Sequence, residues 1–80
     1  MLRYFEFNAL SLVERANALW DDGELLIRTV HDNGRTAYYA NSDYYVEVRT
    51  ALAPGGPVEI IAFIDGPQLA DLASRVALGP

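Results

Sequence analysis

Apolar positions recur along this chain with two periods, and the change from one to the other divides its 80 residues into helix, sheet and helix. Leu12, Val13, Ala16, Leu19 and Trp20 fall at i, i+1, i+4, i+7 and i+8, which lines one side of a helix. Ser11-Leu12-Val13-Glu14 at the head of that run is a capping box: the serine oxygen accepts an amide hydrogen three residues on, and the glutamate reaches back. Gly23 supplies a left-handed residue to close this helix near Asp22. Leu69, Leu72, Ala73 and Val76 repeat the helical spacing after Asp65-Gly66-Pro67, with Gly79-Pro80 as the stop. Met1 to Phe7 alternates only loosely, which predicts a short edge strand or an arm laying its aromatics on the body.

Between the helices the chain favours strands broken by polar turns. Asn33-Gly34, flanked by Asp32 and Arg35, predicts a type I′ hairpin that pairs Val30 with Ala37, Thr29 with Tyr38 and Ile27 with Ala40. A turn at Asn41-Ser42-Asp43 sets Ala40 opposite Tyr44, Tyr38 opposite Val46 and Tyr39 opposite Tyr45. A third turn over Ala53-Pro54-Gly55-Gly56-Pro57 pairs Leu52 with Val58, Val48 with Ala62 and Glu47 with Phe63. The expected fold is one α+β domain over residues 1–80, a four-stranded antiparallel meander in the order α-β-β-β-β-α, with two amphipathic helices packed mainly on one face.

Residues directly opposite each other share a face, so these pairings chain across the sheet. Leu25, Ile27, Thr29, Tyr38, Ala40, Tyr44, Val46, Val48, Thr50, Ile60, Ala62 and Ile64 form the core face. Leu26, Arg28, Val30, Ala37, Tyr39, Tyr45, Glu47, Arg49, Ile61 and Phe63 form an amphipathic outer face, more apolar than a monomer usually leaves in water. Tyr, Phe and Arg are also the types enriched at interface centres. Tyr39, Tyr45, Glu47, Arg49, Ile61 and Phe63 are therefore the candidate interface, to be covered by a second subunit, another protein, the N-terminal arm, or a helix if the two straddle the sheet.

Composition sharpens this expectation. An 80-residue chain buries a small core, and with no cysteine it has no disulfide to compensate, so association is the available remedy. A net charge of -5 opposes binding to phosphate backbones. All six basic residues are scattered arginines, and without lysine there is no amine nucleophile. The apolar run Ile60 to Ile64 is far too short to span a membrane, and Met1 to Phe7, with a glutamate in its apolar run and no small-residue cleavage pattern, does not read as a signal peptide, so a soluble, cytoplasmic protein is expected.

Candidate chemistry is sparse. His31, the only histidine, lies beside Asp32 and opposite Thr36, but neighbours on a strand point to opposite sides, which favours a local hydrogen bond over a catalytic pair. Asp21-Asp22-Gly23-Glu24 lacks the spread of oxygen ligands that a calcium loop needs, although two acids at a helix C-terminus oppose its dipole without evident return. Gly55-Gly56 lacks the setting of a phosphate loop, and Ser11, Ser42 and Ser74 lack that of a nucleophile elbow. No metal or cofactor is expected.

The combination Leu19-Trp20-x-x-Gly23-x-Leu25 with Tyr44-Tyr45-Val46-Glu47-Val48 resembles a group of small uncharacterised bacterial proteins sharing a Trp-x-x-Gly helix end and an aromatic-aromatic-Val-Glu-Val strand. The resemblance covers Leu19 to Val48 and implies a bacterial single-domain protein, without an activity. The leading expectation is thus a non-catalytic, self-associating interaction module. An acidic inhibitor or immunity-type protein for a basic partner is the first alternative. A small-ligand site or enzyme near His31, Tyr38 and Asp32 is the second.

Overall fold

The computed structural model describes residues 2–32, 34–41, 43–51 and 58–78, the side chains of 77 and 78 excepted. The third expected turn, the Leu52–Val58 pair and the Gly79-Pro80 stop lie outside these residues. Three helices and four strands follow in order: α1 Tyr4–Asn8, α2 Leu12–Asp22, β1 Glu24–His31, β2 Gly34–Asn41, β3 Tyr44–Ala51, β4 Val58–Phe63 and α3 Pro67–Leu78. The strands form one antiparallel sheet in the order β1-β2-β3-β4, so the α+β class and the meander are those the turn and strand signals require.

Local chemistry accounts for the helix ends. The Ser11 hydroxyl accepts the Glu14 amide hydrogen at 3.2 Å, and the Glu14 carboxylate accepts from Ser11 N at 2.9 Å, as the capping box dictates. Glu6 accepts from Arg3 N at 2.9 Å, which helps turn the expected arm into the short helix α1. Gly23 is not left-handed: its φ of -76° and ψ of 142° are extended. Glycine belongs there because a Cβ would stand 2.8 Å from the Leu19 carbonyl oxygen.

The registers differ from those expected, and one difference decides the architecture. β1 and β2 pair Ile27 with Tyr38 and close at His31–Gly34, two residues off the expected alignment. Gly34 opens β2 with φ +154°, where an added Cβ would lie 2.2 Å from the Thr50 carbonyl oxygen. β3 and β4 pair Val48 with Ile60, also displaced by two, which leaves their faces matched. β2 and β3, however, pair Tyr38 with Glu47 and Tyr39 with Val46, a displacement of one. The cause is Asn41, which stays in the strand opposite Tyr44 and, fully buried, donates from Nδ2 to the Tyr44 hydroxyl at 3.0 Å. A one-residue slip turns every side chain over.

The helices consequently straddle the sheet instead of sharing one face. Phe7 and Leu19, from α1 and α2, pack with Tyr44, Val46, Ile60 and Ala62 on one side. Leu72 and Leu69 of α3 pack with Tyr38, Phe63, Ile27 and Tyr45 on the other. A bulge at Leu26 adds to the exchange, sending Leu25 to the α2 side with Tyr39 and Ile27 to the α3 side with Tyr38. The bland possibility raised by the sequence, that a helix covers the amphipathic face, is the arrangement found.

Candidate functional site

Of the six expected interface residues, five lie on the α3 side and one on the α2 side. Tyr45 opposes Phe63 and Glu47 opposes Ile61, with Arg49 next along β3. Tyr39 opposes Val46 and packs against the α1–α2 core. Glu47 is 2% exposed and Phe63 is 4% exposed, so these six do not make one open surface. The physical reason is the slip between β2 and β3, which carries Glu47 under α3.

There Glu47 belongs to a junction that ties α3 to the sheet. The Tyr38 hydroxyl lies 2.8 Å from Glu47 Oε2 and 2.5 Å from Asp71 Oδ2. Arg75 donates from Nε to Asp71 Oδ2 at 2.8 Å and from Nη1 to the Thr29 hydroxyl at 3.3 Å. Arg49 Nε stands 3.0 Å from Glu47 Oε1, although no N–H is aimed at that oxygen. Burial, with two carboxylates at its oxygen, pushes the Tyr38 hydroxyl well above its usual range. The Tyr38 hydrogen bond and then the Arg75 guanidinium hold the Asp71 carboxyl below the carboxylate range. A polar cleft of about 500 Å³ opens beside the junction, between His31, Thr36, Glu59 and Arg75. The Tyr38, Asp71 and Arg75 contacts fasten α3 to the sheet, while Arg35 and Glu59, which also line the cleft, form no ion pair among the described residues. Asp71 and Arg75 escaped the sequence reading, though their i, i+4 spacing of acid and base was a visible signal.

His31 Nε2 lies 3.1 Å from the Thr36 hydroxyl, the local cross-strand contact its position implies. Among the described residues no group of three or more His, Asp or Glu side chains is placed to hold a metal ion.

On the opposite side the sheet is only half covered. α1 and α2 lie over β4 and the Tyr44 end, where Arg15 donates to the carbonyls of Leu10, Asn8 and Ile60 at 3.1, 2.9 and 2.7 Å. The β1 side is bare. Of the apolar residues that define α2, Leu19 alone is buried; Leu12, Val13 and Ala16 are exposed, and Trp20 is 90% exposed. A trough of about 400 Å³ runs between α2 and the sheet, lined by Leu19, Trp20, Leu25, Arg28, Tyr39 and Ile60. It continues past Arg28 into a second hollow bordered by Val30, Arg35 and Ala37. Leu25 and Val30 of the edge strand add their own exposed surface. Of the expected six residues only Tyr39 lines this trough.

Neither a family model, nor a curated protein, nor a solved structure matches this chain. No described helix is long and apolar enough to cross a membrane.

Proposed function

We propose that this domain is a non-catalytic interaction module that associates with a second copy of itself through the uncovered side of α2 and β1. The observation that carries this reading is Trp20, 90% exposed beside an apolar trough on a chain of 80 residues. Tryptophan in contact with water over most of its surface is a large hydrophobic area left unused, and it is among the residue types that anchor interfaces. A symmetric pair uses the same patch twice, so one copy's Trp20 and the other's trough are supplied together. The absence of cysteine and the bacterial resemblance favour the bacterial cytoplasm as the setting. Catalysis lacks support because the polar groups of the α3 junction bind one another.

Sedimentation from low to high micromolar concentration, with tryptophan emission recorded in parallel, tests this. A dimer whose emission shifts to the blue as it forms is expected. Trp20→Arg should remain monomeric with an unchanged circular-dichroism spectrum. A wild-type monomer at high micromolar concentration, with water-like emission throughout, would refute the reading.

A further inference from the structure

Three successive cross-strand rows make the floor of the uncovered side: Leu25 with Tyr39, Arg28 with Ala37 and Val48, then Val30 with Arg35 and Thr50. Arg28 lines both the trough of about 400 Å³ and the hollow of about 440 Å³ that continues it, so its side chain stands where the two meet. No acidic residue lines either hollow. Arg28 is exposed and forms no ion pair among the described residues. Arg35 borders the far end, but it also lines the polar cleft that holds Glu47, Glu59 and Asp71. Arg28 is therefore the group that sets the charge of the trough.

An apolar trough with one cation along it, at a volume within the range of about 300–1,000 Å³ common to small-molecule sites, selects its ligand by class. A cationic ligand finds no carboxylate there. A neutral apolar molecule long enough to pass Arg28 strips water from the guanidinium without replacing it, which opposes binding. A carboxylate replaces that water with charge-assisted hydrogen bonds, two of them parallel where it meets the planar guanidinium edge on. The net charge of -5 opposes an anion only weakly here, because at physiological salt fields decay over about 8 Å and the lining itself is free of acids. An exposed ion pair alone holds little, so the affinity comes from an apolar body. Trp20 at 90% exposure and Leu25 at 44% are the surfaces that such a body covers.

We infer that the trough binds a small carboxylate with an apolar tail, the tail lying along Leu19, Leu25 and Tyr39 and the carboxylate on Arg28. This goes beyond the self-association proposed above and does not depend on it. Where two copies do associate, the tail occupies the space that the second copy's Trp20 would fill. Ligand and second copy then compete for one trough, and the carboxylate shifts the protein towards the monomer.

Titration calorimetry on the full chain with sodium decanoate, decanol and decyltrimethylammonium, each below its aggregation threshold, tests this. One decanoate per chain is expected, with decyltrimethylammonium binding at least about tenfold more weakly. Arg28→Gln should lower the decanoate affinity by about tenfold or more, the scale of hydrogen bonds to a charged group, and leave decanol unchanged. Leu25→Gln should weaken both. Both positions are exposed, and circular dichroism confirms that each variant folds. No uptake of decanoate, equal uptake of the ammonium, or a decanoate affinity indifferent to Arg28→Gln overturns the inference. Sedimentation with and without decanoate separates the two readings. A monomeric wild type that binds decanoate through Arg28 upholds the inference and refutes self-association. A dimer that takes up no decanoate leaves self-association standing and overturns the inference, as does a dimer whose affinity bound decanoate does not lower.

Discussion

Tyr38 shows how much one oxygen can organise. Its ring is buried against Phe63 at a centroid distance of 5.9 Å, and its hydroxyl touches carboxylates from β3 and α3. Tyr38→Phe keeps the ring and removes the only donor between Glu47 and Asp71. A loss of about 1–3 kcal/mol is expected, because the hydroxyl that joins β3 to α3 is gone and Arg49 alone is left against the buried Glu47 carboxylate; the urea midpoint reports it. The pH response has a definite sign. The phenol is held in its neutral form in the folded state, so its contribution is full below the ordinary tyrosine value of 10.0 and is lost as pH rises beyond it. The stability of wild type should therefore fall above pH 10 more steeply than that of Tyr38→Phe, as thermal melts across alkaline buffers would show.

At the scale of elements, each helix is attached by a polar fastening that supplements a thin apolar contact. Arg15 bridges the α1–α2 corner to β4 through three carbonyls and also lies over the Phe7 ring at 5.8 Å. Arg15→Met retains the stem and loses those bonds, so about 2–3 kcal/mol of destabilisation is expected from hydrogen bonds to a charged group, measured by denaturant unfolding. α3 depends on Asp71 in the same way. The folded-state carboxyl is held below its usual value of 3.8, so the stability it provides is present above that value and disappears as pH falls through the lower, folded one. Asp71→Asn should abolish this part of the acid loss while weakening α3 at neutral pH, and amide exchange along 67–76 distinguishes the two effects. The boundaries of α2 and β1 were legible because Ser11, Glu14 and Gly23 act through near neighbours. α1 was not, since seven loosely alternating residues carry no period, and its docking depends on Phe7 meeting Tyr44 at 5.7 Å.

For the whole molecule, stability and assembly are linked. If β1 and α2 are completed by a second copy, the unfolding temperature should rise with protein concentration, because association favours the folded state by mass action. Calorimetry over a hundredfold range of concentration gives the slope, and a flat response contradicts the linkage.

The sequence by itself determined every element except α1, and their order, because capping, helical spacing and turn residues act within a few positions of one another. It also determined that tyrosines 38 and 44 are interior, each 1% exposed. It did not determine which side of the sheet each residue takes. That rested on a single position, Asn41, whose polarity suggested a turn and whose buried bond to Tyr44 makes it strand. Local propensity cannot settle such a choice, since the energy that decides it comes from α1 and α3 packing on opposite faces. Only the tertiary structure could therefore hide Glu47 and Phe63 under α3 and leave Trp20, assigned to the core by its spacing, standing in solvent beside the open edge of β1.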